Sequence, residues 1–164
     1  MKRSLIVLGA VVACLVIALI VLRVVGLDPR ERRPGLWLAG EVVTTPVADW
    51  SFTDPYQTIF VQTRSWYGLP HSVTVSCTAY DRRLYLTAVY PPGLVFPRDR
   101  LWNKNVARDP HVRLKIGTKV YPATLAVVPD GAEKDAVLAA KAKKYPRLAG
   151  ADKSRVHVFR VEPA

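Results

Sequence analysis

The chain begins with one long apolar segment, whereas the apolar residues that follow come in short runs. Residues 4–22, SLIVLGAVVACLVIALIVL, contain no charged side chain. At ~1.5 Å per residue, a helix over this stretch nearly crosses a hydrocarbon core of ~30 Å. Apolar residues continue past Arg23, whose long side chain can reach the lipid headgroups. We therefore predict a transmembrane anchor over residues 4–27.

A cleavable signal peptide is the alternative interpretation of this segment. The apolar region of such a peptide is about 7–15 residues long and ends at a site of small residues. Residues 4–22 are longer and show no such site, which favours a retained, single-pass anchor. Two basic residues precede the segment and four arginines follow it, so the positive-inside rule favours a cytoplasmic domain. Residues 28–35 are a charged, proline-bounded linker, and residues 36–164 are the predicted folded domain.

Alternation of apolar and polar residues predicts β-strands through most of this domain. Residues 58–63 form one predicted strand, and residues 72–90 form a hairpin around the turn YDRR. Residues 112–116 and 120–128 form a second hairpin, and residues 155–161 a last strand. Pro122 lacks a backbone donor, which indicates an edge or a bulge at that position.

A short helix is predicted between the two hairpins, within RLWNKNVARDPHVRLKIG (100–117). The carboxylate of Asp99 is suited to accept hydrogen bonds from the first turn, which makes it the predicted N-cap. Pro110 disfavours helical geometry at Asp109, so the helix should end there.

A second helix is predicted from Asp130, with Glu133 completing a capping box. Leu138, Ala142 and Tyr145 recur at helical spacing and form its predicted apolar stripe. Consecutive hairpins with helices over their ends indicate a mainly β fold with helices, a split antiparallel β-barrel preceded by one transmembrane helix.

The net positive charge of the chain indicates which classes of binding partner suit it. It carries 24 Lys and Arg against 13 Asp and Glu, a formal charge of +11. Nucleic acid, anionic lipid and phosphate-bearing small molecules all suit such a charge. No helix-turn-helix, zinc-finger or RNA-binding aromatic pattern is present, so we predict no nucleic-acid partner. Cys14 and Cys77 stand alone, which predicts neither a disulfide framework nor a metal site.

Several of these segments together resemble the split-barrel flavin-binding superfamily, which includes pyridoxamine-phosphate-oxidase-like proteins and deazaflavin-dependent nitroreductases. The resemblance covers about residues 55–163 and rests on the order and spacing of five motifs. They are AYDRRLYLT (79–87), WNKNVARDPHV (102–112), GTKVYPATLAVV (117–128), KYPRL (144–148) and RVHVFRVEP (155–163).

The resemblance implies a homodimer that binds FMN, or alternatively a deazaflavin, and acts as an oxidoreductase on a small acceptor. A quinone would suit the anchor, and the catalytic residues stay unassigned. Val73 and Thr78 occupy the positions of an Arg and a Lys that hold the cofactor phosphate in such proteins. A non-catalytic barrel without a flavin, binding a phosphate-bearing ligand, haem or a protein partner, is therefore the alternative.

Candidate cofactor contacts combine basic, aromatic and small polar residues. Arg98 and Arg100 are able to donate paired hydrogen bonds to a phosphate, although a surface role is the alternative. His71 is a candidate to line the ring or substrate site and exchange a proton. Trp102 suits either ring stacking or core packing. The complete candidate set is His71, Ser72, Thr87, Arg98, Arg100, Trp102 and Lys104.

Overall fold

The computed structural model describes residues 2–31, 33–146, 150 and 152–164. Arg32 of the linker and Arg147 and Leu148 of the KYPRL motif lie outside these residues. The described residues form three helices, α1 (Lys2–Val25), α2 (Leu101–Arg108) and α3 (Ala132–Lys144). They also form seven strands: β1 (Glu41–Val42), β2 (Thr58–Arg64), β3 (Pro70–Tyr80), β4 (Arg83–Val89), β5 (His111–Ile116), β6 (Lys119–Val128) and β7 (Val156–Pro163).

Six of the strands close into an antiparallel barrel. The order is β6-β5-β2-β3-β4-β7, and β7 pairs with β6 to complete the ring. β1 adds to β6 in parallel orientation over two residues. The predicted split antiparallel barrel is therefore confirmed.

Alternating residues of every barrel strand fill the interior. Val61, Leu84 and Leu114 have no exposed surface, and each comes from a different strand. Burial of such a side chain stabilises the fold by about 1.5–3 kcal/mol. Pro122 lies where β6 changes its neighbour from β1 to β7, which suits a residue without a backbone donor.

The first hairpin turns tightly between β3 and β4. Asp81 and Arg82 both have positive φ angles, of 48° and 60°. This is the geometry of a type I′ turn, whose twist matches that of the paired strands. The register that follows places Cys77 opposite Leu86, and both side chains face the core.

The bounds of α2 match the prediction, but its N-cap does not. Arg100 occupies the cap position and makes no capping hydrogen bond through its side chain. The carboxylate of Asp99 instead accepts from the Val95 N–H at 2.7 Å and from Arg98 at 2.7 Å. Asp99 therefore closes the turn that precedes the helix.

The capping box predicted for α3 is also wrong, because both acidic side chains have other partners. Gly131 is the N-cap residue and makes no side-chain capping bond. Asp130 accepts from Lys134 Nζ at 2.5 Å. Glu133 accepts from Arg160 at 2.9 Å.

The buried stripe of α3 is rotated from the predicted one. Val137 is fully buried against Tyr85, Val128 and Val158 on the outer face of the barrel. Lys134 and Lys141, rather than Ala142, lie beside it and are 7% and 6% exposed. Leu138 is only partly buried against the same cluster.

The segment after α1 is fastened to the barrel through its backbone. The Leu27 N–H donates to the Trp37 carbonyl at 2.8 Å, and Gly35 exchanges two backbone hydrogen bonds with Ser72 of β3. Asp28 pairs with Lys115 at 2.5 Å. A Cβ at Gly35 would lie 2.1 Å from the Leu27 carbonyl oxygen, so no larger residue fits this crossing.

The helix that precedes this segment lies apart from the barrel. Its stretch Ile6–Val25 has a mean hydropathy of 2.9 and buries nothing inside the fold. It is long and apolar enough to cross a membrane, and it is the one such helix in the described part of the chain.

Candidate functional site

One end of the barrel is closed by α2, and we call it the α2 end. The β2–β3 loop, residues 26–31 and 33–38, and the start of β3 lie at the same end. Trp102 is 6% exposed and packs on Phe159, with the ring centroids 5.1 Å apart. The Asn105 side chain donates to Thr63 Oγ1 at 3.0 Å. The helix thus plugs the barrel with aromatic and amide side chains.

A pocket of about 540 Å³ opens beside this plug. Its volume lies within the range of about 300–1,000 Å³ that is usual for small-molecule sites. Three predicted site residues, His71, Arg100 and Trp102, meet there. The other lining residues are Glu31, Arg33, Pro34, Val73, Thr74 and Leu101.

Sequence analysis missed Arg33 and Thr74 as site residues. Arg33 belongs to a segment without periodicity, so no pattern placed it against the barrel. Thr74 lies in an alternating strand and carried no signal beyond that alternation. The backbone pairing of Gly35 with Ser72 is what brings Arg33 to the start of β3.

Two neighbouring residues, Val89 and Tyr90, hold the guanidinium of Arg100. One terminal nitrogen donates to the Val89 carbonyl at 2.5 Å, and the guanidinium lies 5.3 Å from the centroid of the Tyr90 ring. Burial raises the pKa of Tyr90 to about 12, so this phenol stays protonated. Its hydroxyl donates to Asn103 Oδ1 at 2.6 Å. The guanidinium is thus oriented before any ligand arrives.

Unpaired polar atoms concentrate at the α2 end. Among the described residues, six buried side-chain nitrogen or oxygen atoms have no hydrogen-bond partner, and all six lie at this end or on the segment that reaches it. Two of them belong to pocket residues. The two at the pocket belong to Thr74 and Arg100. The full set of six atoms is Asp28 Oδ1, Ser65 Oγ, Ser72 Oγ, Thr74 Oγ1, Arg100 Nε and Asn103 Nδ2. Buried polar groups are nearly always paired in native proteins, so these atoms need a partner from outside the protein chain, either water or a ligand.

His71 supplies the titratable group of the pocket. It lies at the start of β3, opposite Thr63, whose hydroxyl donates to the His71 carbonyl at 3.1 Å. Burial lowers the pKa of its imidazole from the ordinary value. The ring is therefore predominantly neutral at pH 7 and able to accept a proton.

The remaining predicted residues lie outside the pocket lining. Arg98 is exposed and forms an ion pair with Asp99 at 2.7 Å. Lys104 is exposed on the outer face of α2. Ser72 is completely buried next to the pocket, beneath Gly35.

Thr87 lies on the outer wall of the barrel, beneath α3. Lys141 Nζ donates to Thr87 Oγ1, and the Ser76 hydroxyl lies 3.0 Å from the same oxygen. Burial lowers the pKa of Lys141 to about 8. Thr87 and Lys141 are each 6% exposed, so this group of residues is closed to ligands and lies within the contact between helix and barrel.

The structure provides no group of residues suited to a metal ion within the described ranges. No cluster of three His, Cys, Asp or Glu side chains occurs there. Cys77 is 1% exposed, and burial raises the pKa of its thiol.

Comparison with known proteins identifies the fold but no sequence family. No family model and no curated protein matches the chain. Similar solved structures include the conserved hypothetical protein Rv2991 of Mycobacterium tuberculosis, with a TM-score of 0.55 and 13% identity over 82% of this chain and 86% of that one.

Two other similar structures have enzyme names. An F420-H2 dependent reductase, FDR-A, has a TM-score of 0.51 and 22% identity over 65% of this chain and 95% of its own. A protein of Listeria innocua, assigned as a pyridoxamine 5′-phosphate oxidase, has a TM-score of 0.51 and 18% identity over 69% and 88% of the two chains. The fold is therefore the split barrel of pyridoxamine-phosphate-oxidase-like proteins and F420-dependent reductases.

Proposed function

We propose that this split-barrel protein is a membrane-anchored oxidoreductase that binds a flavin-type cofactor at the α2 end. One observation carries the proposal. The pocket of about 540 Å³ lies where the described part of the chain concentrates its unpaired buried polar atoms. The names of two structures with this fold, a reductase and an oxidase, support redox chemistry.

The pocket residues suit a ligand that combines a phosphate with a planar ring. Arg100 Nε and Thr74 Oγ1 are unpaired donors at the pocket, and Arg33 adds a second guanidinium. Guanidinium groups match the geometry of phosphate oxygens. Trp102 and His71 offer ring surfaces at the same site. FMN is the first cofactor to test, and a deazaflavin is the second.

A bound flavin supplies the hydride or electron transfer itself. The chain then has to hold the cofactor, orient it and manage protons. Arg100 is oriented for the first task by Val89 and Tyr90, and the neutral His71 is suited to accept a proton from a reduced substrate or cofactor.

The anchor supports a lipid-soluble acceptor such as a quinone. Glu31 and Arg33 line the pocket and follow the end of α1 by only a few residues. If α1 spans a bilayer, the pocket opens close to the membrane surface, where such a substrate is concentrated. The arginines after α1 favour a cytoplasmic barrel, and the resemblance noted from sequence favours a homodimer.

A binding protein without turnover is the second candidate. Val73, which lines the pocket, stands where a cationic side chain was expected from the resemblance. Cofactor binding without reduction of a quinone by NAD(P)H or a reduced deazaflavin would favour this candidate.

Flavin titration of matched arginine variants tests the proposal. The detergent-solubilised chain should be yellow or should quench added FMN or F420 fluorescence. Arg100→Gln should weaken that affinity by about tenfold or more, because a charge-assisted hydrogen bond is worth ~1.5–3 kcal/mol. Arg98→Gln is the matched control and should leave affinity unchanged, because Arg98 is paired with Asp99 outside the pocket. A colourless chain that quenches neither cofactor would rule the proposal out.

Truncation tests the anchor separately. Removing residues 1–27 should release a soluble barrel, because the described strands all lie beyond that segment. Loss of the β signal in circular dichroism, together with aggregation, would show that the segment belongs to the barrel fold.

A further inference from the structure

We propose that the β2–β3 loop at residues 65–69 is a second membrane contact, resting in the headgroup region of the bilayer that α1 spans. This inference rests on the anchor in the proposed function and is independent of the cofactor.

The loop presents two aromatic side chains at its tip. The Ser65 N–H donates to the Leu69 carbonyl at 2.9 Å, and the Gly68 N–H donates to the Ser65 carbonyl at 3.0 Å. These bonds fix a tight turn on which Trp66 is 79% and Tyr67 55% exposed. The two rings meet edge to face, 5.4 Å apart. Trp and Tyr are enriched at membrane interfaces, because their rings are apolar and their N–H or O–H groups are polar.

The loop lies at the edge of the barrel where the chain leaves α1. Leu27 follows the last residue of α1 by two positions and is hydrogen-bonded to Trp37. Trp37 lines a groove of about 370 Å³ together with Gly68 of the loop and Pro70, which follows the loop. Two residues span at most ~7 Å. Leu27 therefore lies within ~7 Å of the end of α1, and its partner Trp37 shares one groove with the loop residue Gly68.

The charge around this edge suits an anionic lipid surface. Exposed arginines come from the end of α1, the following turn, the end of β2 and the end of α2: Arg23, Arg30, Arg33, Arg64 and Arg108. Two of the nearby carboxylates already have partners, since Asp28 pairs with Lys115 and Asp109 with His111. Basic residues held near an anionic leaflet are attracted to it.

The opposite end of the barrel lacks this combination. Phe52 is exposed there but stacks on Trp50 at 5.7 Å, and Trp50 is joined to the β3–β4 turn through Arg82. The exposed arginines of that turn, Arg82 and Arg83, are interspersed with the acidic residues Asp49, Asp54 and Asp81. An exposed aromatic loop beside basic residues and the exit of α1 thus distinguishes the α2 end.

Quenching of tryptophan emission by brominated lipid tests the contact. The full-length chain is placed in nanodiscs that contain phosphatidylglycerol, with and without brominated acyl chains. The fraction of emission quenched by brominated lipid should fall about twofold or more in Trp66→Phe, because this ring is the one expected in the interface. Trp50→Phe is the matched control and should not lower that fraction, because Trp50 lies at the far end.

The remaining outcomes separate this contact from the rest of the proposed function. An equal quenched fraction in Trp66→Phe and the parent overturns the contact. Emission that depends on protein concentration and not on brominated lipid also overturns it and assigns the loop to a second copy. Extraction of the chain from membranes by alkaline carbonate overturns both the anchor and the contact. Trp66-dependent quenching in a chain that binds no flavin supports the contact and rejects only the cofactor.

Discussion

The two helices packed on the barrel, α2 and α3, bury polar groups in opposite ways. Around α2, buried nitrogen and oxygen atoms of Asn103, Arg100 and Thr74 are left without partners and lie in or beside the pocket. Beneath α3, the buried Lys134 and Lys141 each donate to an acceptor, and the described residues of that face include no orphaned atom. The α2 end therefore has buried polar atoms that the protein itself leaves for water or a ligand to pair with, whereas the buried lysines of the α3 face have acceptors within the protein.

The difference has an energetic meaning. An unsatisfied buried polar group costs about 1–3 kcal/mol. A ligand that forms hydrogen bonds with these groups removes their unfavourable free energy, and the energy recovered adds to the affinity for that ligand. On the α3 face the unfavourable free energy comes from desolvation of a charge, because the Lys141 ammonium is buried and still charged at neutral pH.

The largest effect should come from removing the plug at the α2 end. Trp102→Ala should lower the free energy of unfolding by roughly 3–5 kcal/mol, because a large buried ring leaves a cavity. Urea unfolding measures the change. Trp66→Ala is the control and should change stability by less than about 0.5 kcal/mol, because that ring is exposed. Similar values for both variants would show that α2 does not hold the barrel end closed.

An intermediate effect, of opposite sign, is expected beneath α3. Lys141→Met should raise stability at pH 7 by about 1–3 kcal/mol, because an apolar chain of similar length needs no desolvated charge. The pKa of Lys141 is about 8 in the fold, below its ordinary value of 10.5, so the parent should regain stability as the pH rises from 8 to 10.5.

The difference between this variant and the parent should therefore shrink over that pH interval in thermal unfolding. Lys143→Met, at an exposed position of the same helix, should show no such pH dependence. A constant difference from pH 7 to 10.5 would contradict a depressed pKa for Lys141.

The smallest effect should come from the partly exposed ion pairs of α3. Glu133→Gln should lower stability at pH 7 by less than about 1 kcal/mol, since the pair with Arg160 is partly exposed to solvent. The hydrogen bond from Arg160 lowers the pKa of Glu133 below its ordinary value. This contribution is therefore complete above pH 4.5 and is lost as the pH falls through the lowered pKa.

Thermal unfolding of the variant and the parent at pH 7 and pH 3 measures this contribution. Asp135→Asn removes the pair with Lys153, which is more exposed, and should have less effect. A loss at Glu133 well above 1 kcal/mol would mean that the α3 face depends on this pair more than on its apolar contacts.

Sequence alternation was enough to predict the barrel, because one face of each strand is buried and the side-chain period is two. The same reasoning failed for helix caps and for the α3 stripe. Asp99 and Asp130 are residue types that often cap helices, but their carboxylates accept hydrogen bonds from other nearby donors instead. Lys141 finds its acceptor, Thr87, only in the tertiary structure, whereas Lys134 pairs with Asp130 four residues before it. A hydrophobicity pattern records neither pairing.

The candidate site was predicted only in part for a related reason. His71, Arg100 and Trp102 have side chains whose chemistry is legible in sequence, and the pocket brings them together. Arg33 reaches the pocket through backbone hydrogen bonds of Gly35, which any residue type could make. Arg98 had the same chemistry as Arg100 but turns to its own neighbour, Asp99.

The closure of the ring by β6 and β7 limits how two copies can assemble. Each of the six barrel strands has a neighbour on both sides, and β1, of two residues, is the remaining exposed edge among the described strands. The described strands therefore offer almost no unpaired edge to which a strand of a second molecule could hydrogen-bond. In a dimer that keeps both barrels closed, the contact is formed by side chains on the outer walls, so its specificity is encoded in surface residues rather than in backbone pairing.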